Sequence, residues 1–385
     1  MKILIVDTYY DRFLHAVYAP EQGLESLPYD AQLRRLLDQC FGTSDFYSRN
    51  LRDQGVDAAD LVVNCAPLQR RWAEERRVSI DRGLSGRSRL RSFVDRLRGR
   101  ASHGDDGFSH DEAEAIALAQ IRDAAADVVY CQDLSFFRPA ALAEIKRHTR
   151  LLVGQIACPL PARENLTPFD LILTSFPHFV PRFRAMGIPS EYFKIGFEPR
   201  VLERVGPTAR TRGVTFVGGL SAAHSKGTRL LEAIAKRVPI EIFGYGAATL
   251  PPDSELARRH RGEAWALDMY RVLCESRITI NRHIDVAEDY ANNMRLFEAT
   301  GCGAMLLTDA KRNLDDLFRA GSEVVAYRDE HEAAALVEQF LEDDAARERI
   351  ARAGQQRTLG EHTYARRMSE LVPILEQALK TRSAA

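Results

Sequence analysis

The stretch from Arg277 to Asp309, RITINRHIDVAEDYANNMRLFEATGCGAMLLTD, restricts the architecture more than any other part of the chain. An apolar run, Ile278 to Ile280, stops on the polar pair Asn281 and Arg282. A polar loop follows, then a segment of helical periodicity from Asn292 to Thr300. Gly301, Cys302 and Gly303 end that helix, and a second apolar run, Ala304 to Leu307, closes on Thr308 and Asp309. Strand, loop, helix, glycine turn and strand in this order predict one right-handed βαβ unit of a parallel sheet. Ligands of such sheets bind beyond the carboxyl ends of the strands, where Asn281 and Arg282 emerge. Arg295 and Glu298 are three apart and share a helix face, which a surface ion pair alone would also explain. Asn292 and Asn293 open the helix with cap oxygens and leave its first N–H groups free for an anion.

The same alternation runs through the first half. Strands are expected at Lys2–Val6, Leu61–Val63, Val128–Cys131, Leu151–Ile156, Leu171–Leu173 and Tyr192–Ile195. Between them, Leu33, Leu36, Leu37 and Cys40 mark an amphipathic helix, and Ser109 with Glu112 forms a capping box for another. Apolar strands separated by helices predict an open, largely parallel α/β sheet. At 385 residues the chain exceeds one ordinary core, so a second domain is expected, its boundary in the polar segment Pro199–Gly213.

The second half opens with a strand, Val214–Val217, running into Gly218 and Gly219, with Lys226 at the head of the next helix. A glycine turn between strand and helix lets backbone N–H groups approach phosphate oxygens, and Lys226 adds a cation. Tight packing is the other use of such glycines. The next strand, Ile240–Phe243, ends on Gly244-Tyr245-Gly246, and an amphipathic helix, Leu267–Cys274, precedes the βαβ unit. A strand at Val324–Ala326 closes the sheet. Three helices finish the chain, the last with Met368, Leu371, Leu375 and Leu379 at helical spacing.

Composition removes several classes. A net charge of −1 argues against an extended nucleic-acid footprint. No run of eighteen apolar residues and no signal region are expected to engage a membrane, and six cysteines without a CxxC pair read as core residues in a reducing cytoplasm. The exception is 70–100, where arginines crowd. A solvated helix pair explains it, and so does a patch for an acidic acceptor or peripheral contact with an anionic membrane.

Asn-Met-Arg-Leu-Phe-Glu-Ala-Thr-Gly-Cys-Gly (293–303) resembles the nucleotide-sugar motif of GT-B glycosyltransferases, in particular the branch similar to spore maturation protein B. His362-Thr363-Tyr364 with Arg367 resembles the tail of the same family. The resemblance implies two Rossmann-like parallel-sheet domains facing a cleft: an acceptor domain at 1–199, a nucleotide-sugar domain at 200–362, and a C-terminal helix, 363–385, crossing back to the first domain. It implies that Glu298 binds the donor ribose and that Lys226 neutralises the diphosphate, helped by Arg282 or Arg295. The loop at Tyr245 is placed near the base. Gly218, Gly219, Asn281 and Asn293 complete the expected donor site. The position eight before Glu298, where the retaining branch has a second glutamate, is Tyr290, and Gly219 stands where the family's loop has arginine.

The expected activity is transfer of a sugar from a nucleotide-diphosphate sugar to an acceptor hydroxyl on a glycan, small molecule or protein, with no cofactor. No Asp-x-Asp pair occurs, so the reaction is expected to be independent of metal. A nucleotide-sugar epimerase and a non-catalytic nucleotide-sugar-binding protein are the alternatives. Asp7, Tyr10, Asn64, Gln132, Asp133 and His178 all follow apolar strands of the first half and should line the facing rim. Asp133 is the first candidate for the general base, with Asp7 and His178 as alternatives; a strand-end cap is the other use of each.

Overall fold

The computed structural model describes residues 1–78, 107–220 and 225–383. Six strands form the first sheet: β1 (Lys2–Asp7), β2 (Asp57–Val62), β3 (Val128–Cys131), β4 (Leu151–Gln155), β5 (Leu171–Thr174) and β6 (Ser190–Tyr192). All pair in parallel, in the order β2-β1-β3-β4-β5-β6. Five more form the second: β7 (Arg212–Val217), β8 (Ile240–Phe243), β9 (Ser276–Ile280), β10 (Met305–Asp309) and β11 (Val325–Tyr327), in the order β11-β10-β9-β7-β8. These pairs are parallel too. Helices cover both faces, so β3, β4 and β5 need Val, Leu and Ile at successive positions, and almost every residue in them is buried.

Each sheet reverses its winding once. The chain moves outward from β1 to β2, then returns past β1 to β3; it moves from β7 to β8, then returns to β9. A parallel sheet leaves a crevice at such a reversal, beyond the strand ends. Asp7 and Gln132 stand at one crevice, Gly218 and Asn281 at the other.

The βαβ unit is present, with Met305 opposite Ile278 in a parallel ladder. Its helix begins at Met294, two residues later than the periodicity suggested, because Asn293 is extended and its Oδ1 accepts the Leu296 N–H. The capping box also forms, Ser109 Oγ accepting from the Glu112 N–H at 3.1 Å. One strand is misplaced by the sequence reading. β6 ends at Tyr192, whereas the apolar run continues to Ile195. That run is buried for a different reason: it leads to the crossing of the two domains. Phe197 N–H donates to His362 O at 2.8 Å and Tyr364 N–H donates to Phe197 O at 2.9 Å. A Cβ on Gly196 would lie 3.0 Å from the Thr363 carbonyl carbon, so this approach of two backbones favours glycine.

The last helix, Tyr364–Ser383, returns to the first domain. The Tyr364 ring meets Phe46 at 5.3 Å and Tyr47 at 5.5 Å, and Arg382 pairs with Asp170 near the far end. One apolar cluster therefore spans both halves, from Ile3 and Val128 through Phe197 and Tyr270 to Met368 and Leu371. Among the described residues no helix is long and apolar enough to cross a membrane. Of the arginine-rich stretch 70–100, residues from 79 onward lie outside the described residues. Within the helix Ala66–Glu75 and the turn after it, Arg70, Arg71 and Arg76 pair with Glu112, Glu74 and Asp123.

Candidate active site

β7 and β9 run side by side with Phe216 opposite Ile280, so Gly218-Gly219 and Asn281-Arg282 leave the sheet together. Tyr245, at the end of β8, closes over them. Gly218 N–H donates to Phe243 O and Leu220 N–H to Tyr245 O, which leaves Gly219 with the free amide of this turn among the described residues. The Tyr245 ring stands so near that a Cβ on Gly219 would lie 2.6 Å from its Cζ. The glycine turn is thus a packing device for the Tyr245 ring. Arg282 fills the space beneath it. Its Nη2 reaches Gly219 O at 3.4 Å, its guanidinium lies 5.9 Å from the Phe216 ring centre, and its Nε is buried without a hydrogen-bond partner among the described residues. Burial pushes its pKa down, and among the described residues no carboxylate pairs with it. A cation so enclosed favours an anion at the crevice.

Asn281 and Asn293 act behind that surface. Asn281 is buried, its Nδ2 donating to Thr308 Oγ1 at 2.9 Å. Asn293 Nδ2 donates to Asn281 Oδ1 and to Arg282 O at 2.9 and 3.0 Å. The pair fixes the Arg282 backbone against the helix start. The Arg295–Glu298 pair also forms, at 2.7 Å, and is not a surface pair: Glu298 is 5% exposed and accepts from the Tyr270 hydroxyl at 3.4 Å. Arg295 keeps a buried Nε without a partner. Lys226 belongs to the helix Ser225–Arg237, but its side chain lies outside what the structure describes.

Across the cleft, Asp7 ends β1 beside Asp133, two residues past β3. Asp7 Oδ1 accepts the Thr8 N–H at 2.8 Å, while its Oδ2 lies 3.4 Å from the Thr43 hydroxyl, whose one proton goes to Gln132. Burial raises its pKa to about 7, and the charge of Asp133 adds to the rise. Asp133 is committed to local bonds: Oδ1 takes the Ser135 N–H and Oδ2 the Thr8 hydroxyl, each at 2.8 Å. Gln132 accepts from the Thr43 hydroxyl. Asn64 bonds both backbone groups of Tyr9 and so sets the loop that carries Tyr10.

The two rims meet at both ends of the cleft. At one, Tyr10 lies edge-on to Tyr245 and Trp265, with ring centres 6.3 and 5.8 Å apart, and Arg12 pairs with Glu263. At the other, His178 stacks on Tyr290 at 5.0 Å, its Nε2 donates to Val286 O at 3.1 Å, and Arg182 pairs with Glu288. Burial lowers the His178 pKa. Its position is that of a strut between domains. Trp265 and Tyr290 were not singled out from the sequence for contact across the cleft, and the His283–Asp309 pair, at 2.6 Å behind the Arg282 loop, was missed as well. Asp309 ends a strand, which offered a hint; a histidine in a polar loop offered none.

Residues 225–372 match the family described as "Glycosyl transferase-like". Among solved structures, Anabaena Alr3699/HepE, determined in complex with UDP-glucose, superposes with a TM-score of 0.56 at 14% identity, covering 98% of this chain and 100% of the other. Sucrose-phosphate synthase from Thermosynechococcus elongatus gives 0.56 at 10% identity over 99% and 100%. A glycosyltransferase from Rickettsia africae gives 0.55 at 11% over 98% and 99%. The fold is GT-B. No match was found among curated proteins. The GT-B assignment accounts for the paired crevices, the shared cleft and the returning C-terminal helix, and the family match lies on the half that carries Arg282 and Glu298.

Proposed function

We propose that this GT-B protein transfers a sugar from a nucleotide-diphosphate sugar to an acceptor hydroxyl, without a divalent metal. The observation that carries the reading is the opposition of a half-buried cation without a carboxylate partner among the described residues, Arg282, and a carboxylate with a raised pKa, Asp7, at the facing crevices of the two sheets. The Gly219 N–H, Arg282, Arg295 and Lys226 would receive the diphosphate. Fixed cations and amides then stabilise the charge that grows on the leaving group, the task a metal performs elsewhere. Glu298 has lone pairs left after Arg295 and Tyr270, and these would accept ribose hydroxyls. UDP complexes of the HepE neighbour support UDP as the first nucleotide to try. Six cysteines, none of them in a disulfide, fit a reducing cytoplasm.

Asp7 replaces Asp133 as the favoured base. A base works best with a pKa near the operating pH and an oxygen free to take the proton. Asp7 meets the first condition and its Oδ2 has only the long Thr43 contact at 3.4 Å, whereas both Asp133 oxygens accept bonds of 2.8 Å. The test is calorimetry with UDP, followed by transfer assays with UDP-sugars and a panel of acceptors, with and without a strong chelator. UDP binding with acceptor-dependent turnover that survives chelation is expected. Conversion of the nucleotide sugar without any acceptor would point instead to an epimerase, and binding without turnover to a non-catalytic protein.

A further inference from the structure

A second charged pocket lies behind the cleft, where the domains cross. It encloses about 200 Å³ and is lined by Tyr192, Lys194, Arg357, His362, Arg366 and Arg367, with Glu361 and Glu370 at its edge. The residues come from three segments: the end of β6 and the run after it, the end of the helix Asp344–Glu361 with His362 beyond it, and the first two turns of the returning helix. Four permanent cations face two carboxylates. Arg357 and Glu361 pair with each other, and Glu370 is shared between Arg366 and Arg367. Lys194 has no ion pair or hydrogen bond among the described residues.

Two lining side chains are buried and incompletely bonded. Among the described residues the Nε of Arg367, which is 3% exposed, has no hydrogen-bond partner, and neither has the Nδ1 of His362, which is 2% exposed. His362 Nε2 lies 2.8 Å from Leu317 O, a group that only accepts, so Nε2 carries the proton and Nδ1 presents a lone pair. The returning helix is twenty residues long and has no acidic residue in its first turn. It instead places Arg366 and Arg367 at the positive end of its own dipole, the reverse of the stabilising arrangement. Burial first, and the charge of Arg367 next, push the Lys194 pKa down.

We propose that this pocket binds a small oxyanion of the phosphate class that carries a hydroxyl: hydrogenphosphate or the phosphate group of a hydroxylated monoester. Lys194, Arg366 and the Arg367 Nε offer charge-assisted donors to the anionic oxygens, and His362 Nδ1 accepts the hydroxyl proton. The bound anion bridges the run after β6 to two helices of the opposite half. Its occupancy therefore favours the domain arrangement in which those three segments meet.

The experiment is calorimetric titration of the full chain with inorganic phosphate at constant ionic strength, with sulfate, glycerol 3-phosphate and phosphatidic-acid vesicles as parallel arms. Millimolar or tighter binding of phosphate is expected, with sulfate weaker because it brings no hydroxyl at neutral pH. Lys194→Met and Arg366→Ala should each weaken phosphate at least tenfold, while Arg282→Ala in the cleft should leave it unchanged. Arg366 is exposed, so its variant tests the pocket even where Lys194→Met folds poorly. Binding to vesicles alone would assign the headgroup of a lipid as the source of the anion; binding of the soluble ions would assign a free ligand. No binding in any arm would overturn the proposal. So would phosphate binding that survives Lys194→Met and Arg366→Ala but vanishes in Arg282→Ala, since the anion would then belong to the cleft.

Discussion

A Cβ on Gly227 would lie 2.0 Å from the Nε of Arg282. The first turn of the helix after the glycine loop is therefore shaped around the guanidinium, and the two residues, 55 positions apart in sequence, define one floor of the cleft. Neither Phe216 behind the guanidinium nor the Gly219 carbonyl above it supplies a negative charge.

Gly227→Ala should consequently act as an Arg282 variant. The added methyl displaces a flexible side chain and leaves the backbone in place, so the fold survives. Loss of a charge-assisted bond of about 1.5–3 kcal/mol weakens UDP roughly ten- to hundredfold. Calorimetry on Gly227→Ala, Arg282→Ala and the double variant checks it. The double variant should be no weaker than Arg282→Ala alone, and additive losses would refute the shared mechanism.

Glu298 and Arg295 should behave as a coupled buried pair. Glu298→Ala leaves Arg295 with an unpaired charge in a nearly closed site, a change that destabilises by about 3–5 kcal/mol. Glu298→Gln retains a hydrogen-bonding partner and should fold, while UDP affinity falls through the weakened ribose contact. Urea unfolding and UDP titration on both variants separate the two roles. Equal stability of Glu298→Ala and the parent protein would show that the pair carries no structural weight.

Both sheets and the cleft were legible in the sequence, because strands buried on two faces must be nearly continuous in Val, Ile and Leu and must end where polar residues begin. That rule alone places Asp7, Gly218 and Asn281 at the strand ends. The limits of the rule show at Tyr192–Ile195, where an apolar run is buried by the crossing of two backbones and not by sheet pairing. The division of labour within the site was not legible either. Asn281 and Asn293 look like donors to a ligand, yet they bond to each other. Asp7 and Asp133 are equivalent as letters, and only the Thr8 hydroxyl, the Ser135 amide and the depth of burial distinguish them. The aromatic contacts of Tyr10 with Trp265 and His178 with Tyr290 link residues more than a hundred positions apart, beyond the reach of any local pattern.

His178→Phe should retain most of the parental turnover, because an aromatic ring preserves the stack on Tyr290. His178→Ala removes both stack and hydrogen bond, and should raise KM for the donor several-fold by loosening the domains. Steady-state kinetics with both variants decides. Equal loss of kcat in the two, with KM unchanged, would return His178 to a chemical role.

Asp60 provides a pH prediction separate from catalysis. Burial raises its pKa to about 7, above its ordinary value of 3.8, although the Ser48 hydroxyl donates to it. A folded-state pKa that is raised means stability fully present below about 3.8 is lost progressively as the pH climbs from there to about 7. Asp60→Asn cannot ionise and should therefore be the more stable protein at pH 8, with a Tm higher by about 2–5 °C, a smaller advantage at about pH 5 and little difference at about pH 3.5. Thermal unfolding at these pH values measures it, and a variant less stable at pH 8 would contradict the sign.

The same sign applies to Asp7, where it meets the chemistry. The folded protein holds a proton on Asp7 up to pH of about 7, so turnover should rise with pH through that value as the carboxylate becomes free to accept the acceptor's proton. Asp7→Asn should lower kcat by about a hundredfold or more, remove that limb of the pH profile and leave UDP affinity nearly unchanged. It should also gain stability at pH 8, since an ionised buried carboxylate is gone. Asp133→Asn should lose less than tenfold, because its contribution passes through the Thr8 hydroxyl and the Ser135 amide, which an amide oxygen can still in part accept. The pH–rate profile of the three proteins, measured with the best acceptor, settles the assignment. If Asp133→Asn abolishes turnover while Asp7→Asn keeps both its rate and its pH limb, the base is Asp133 and the raised pKa of Asp7 reflects only its burial and its neighbour's charge.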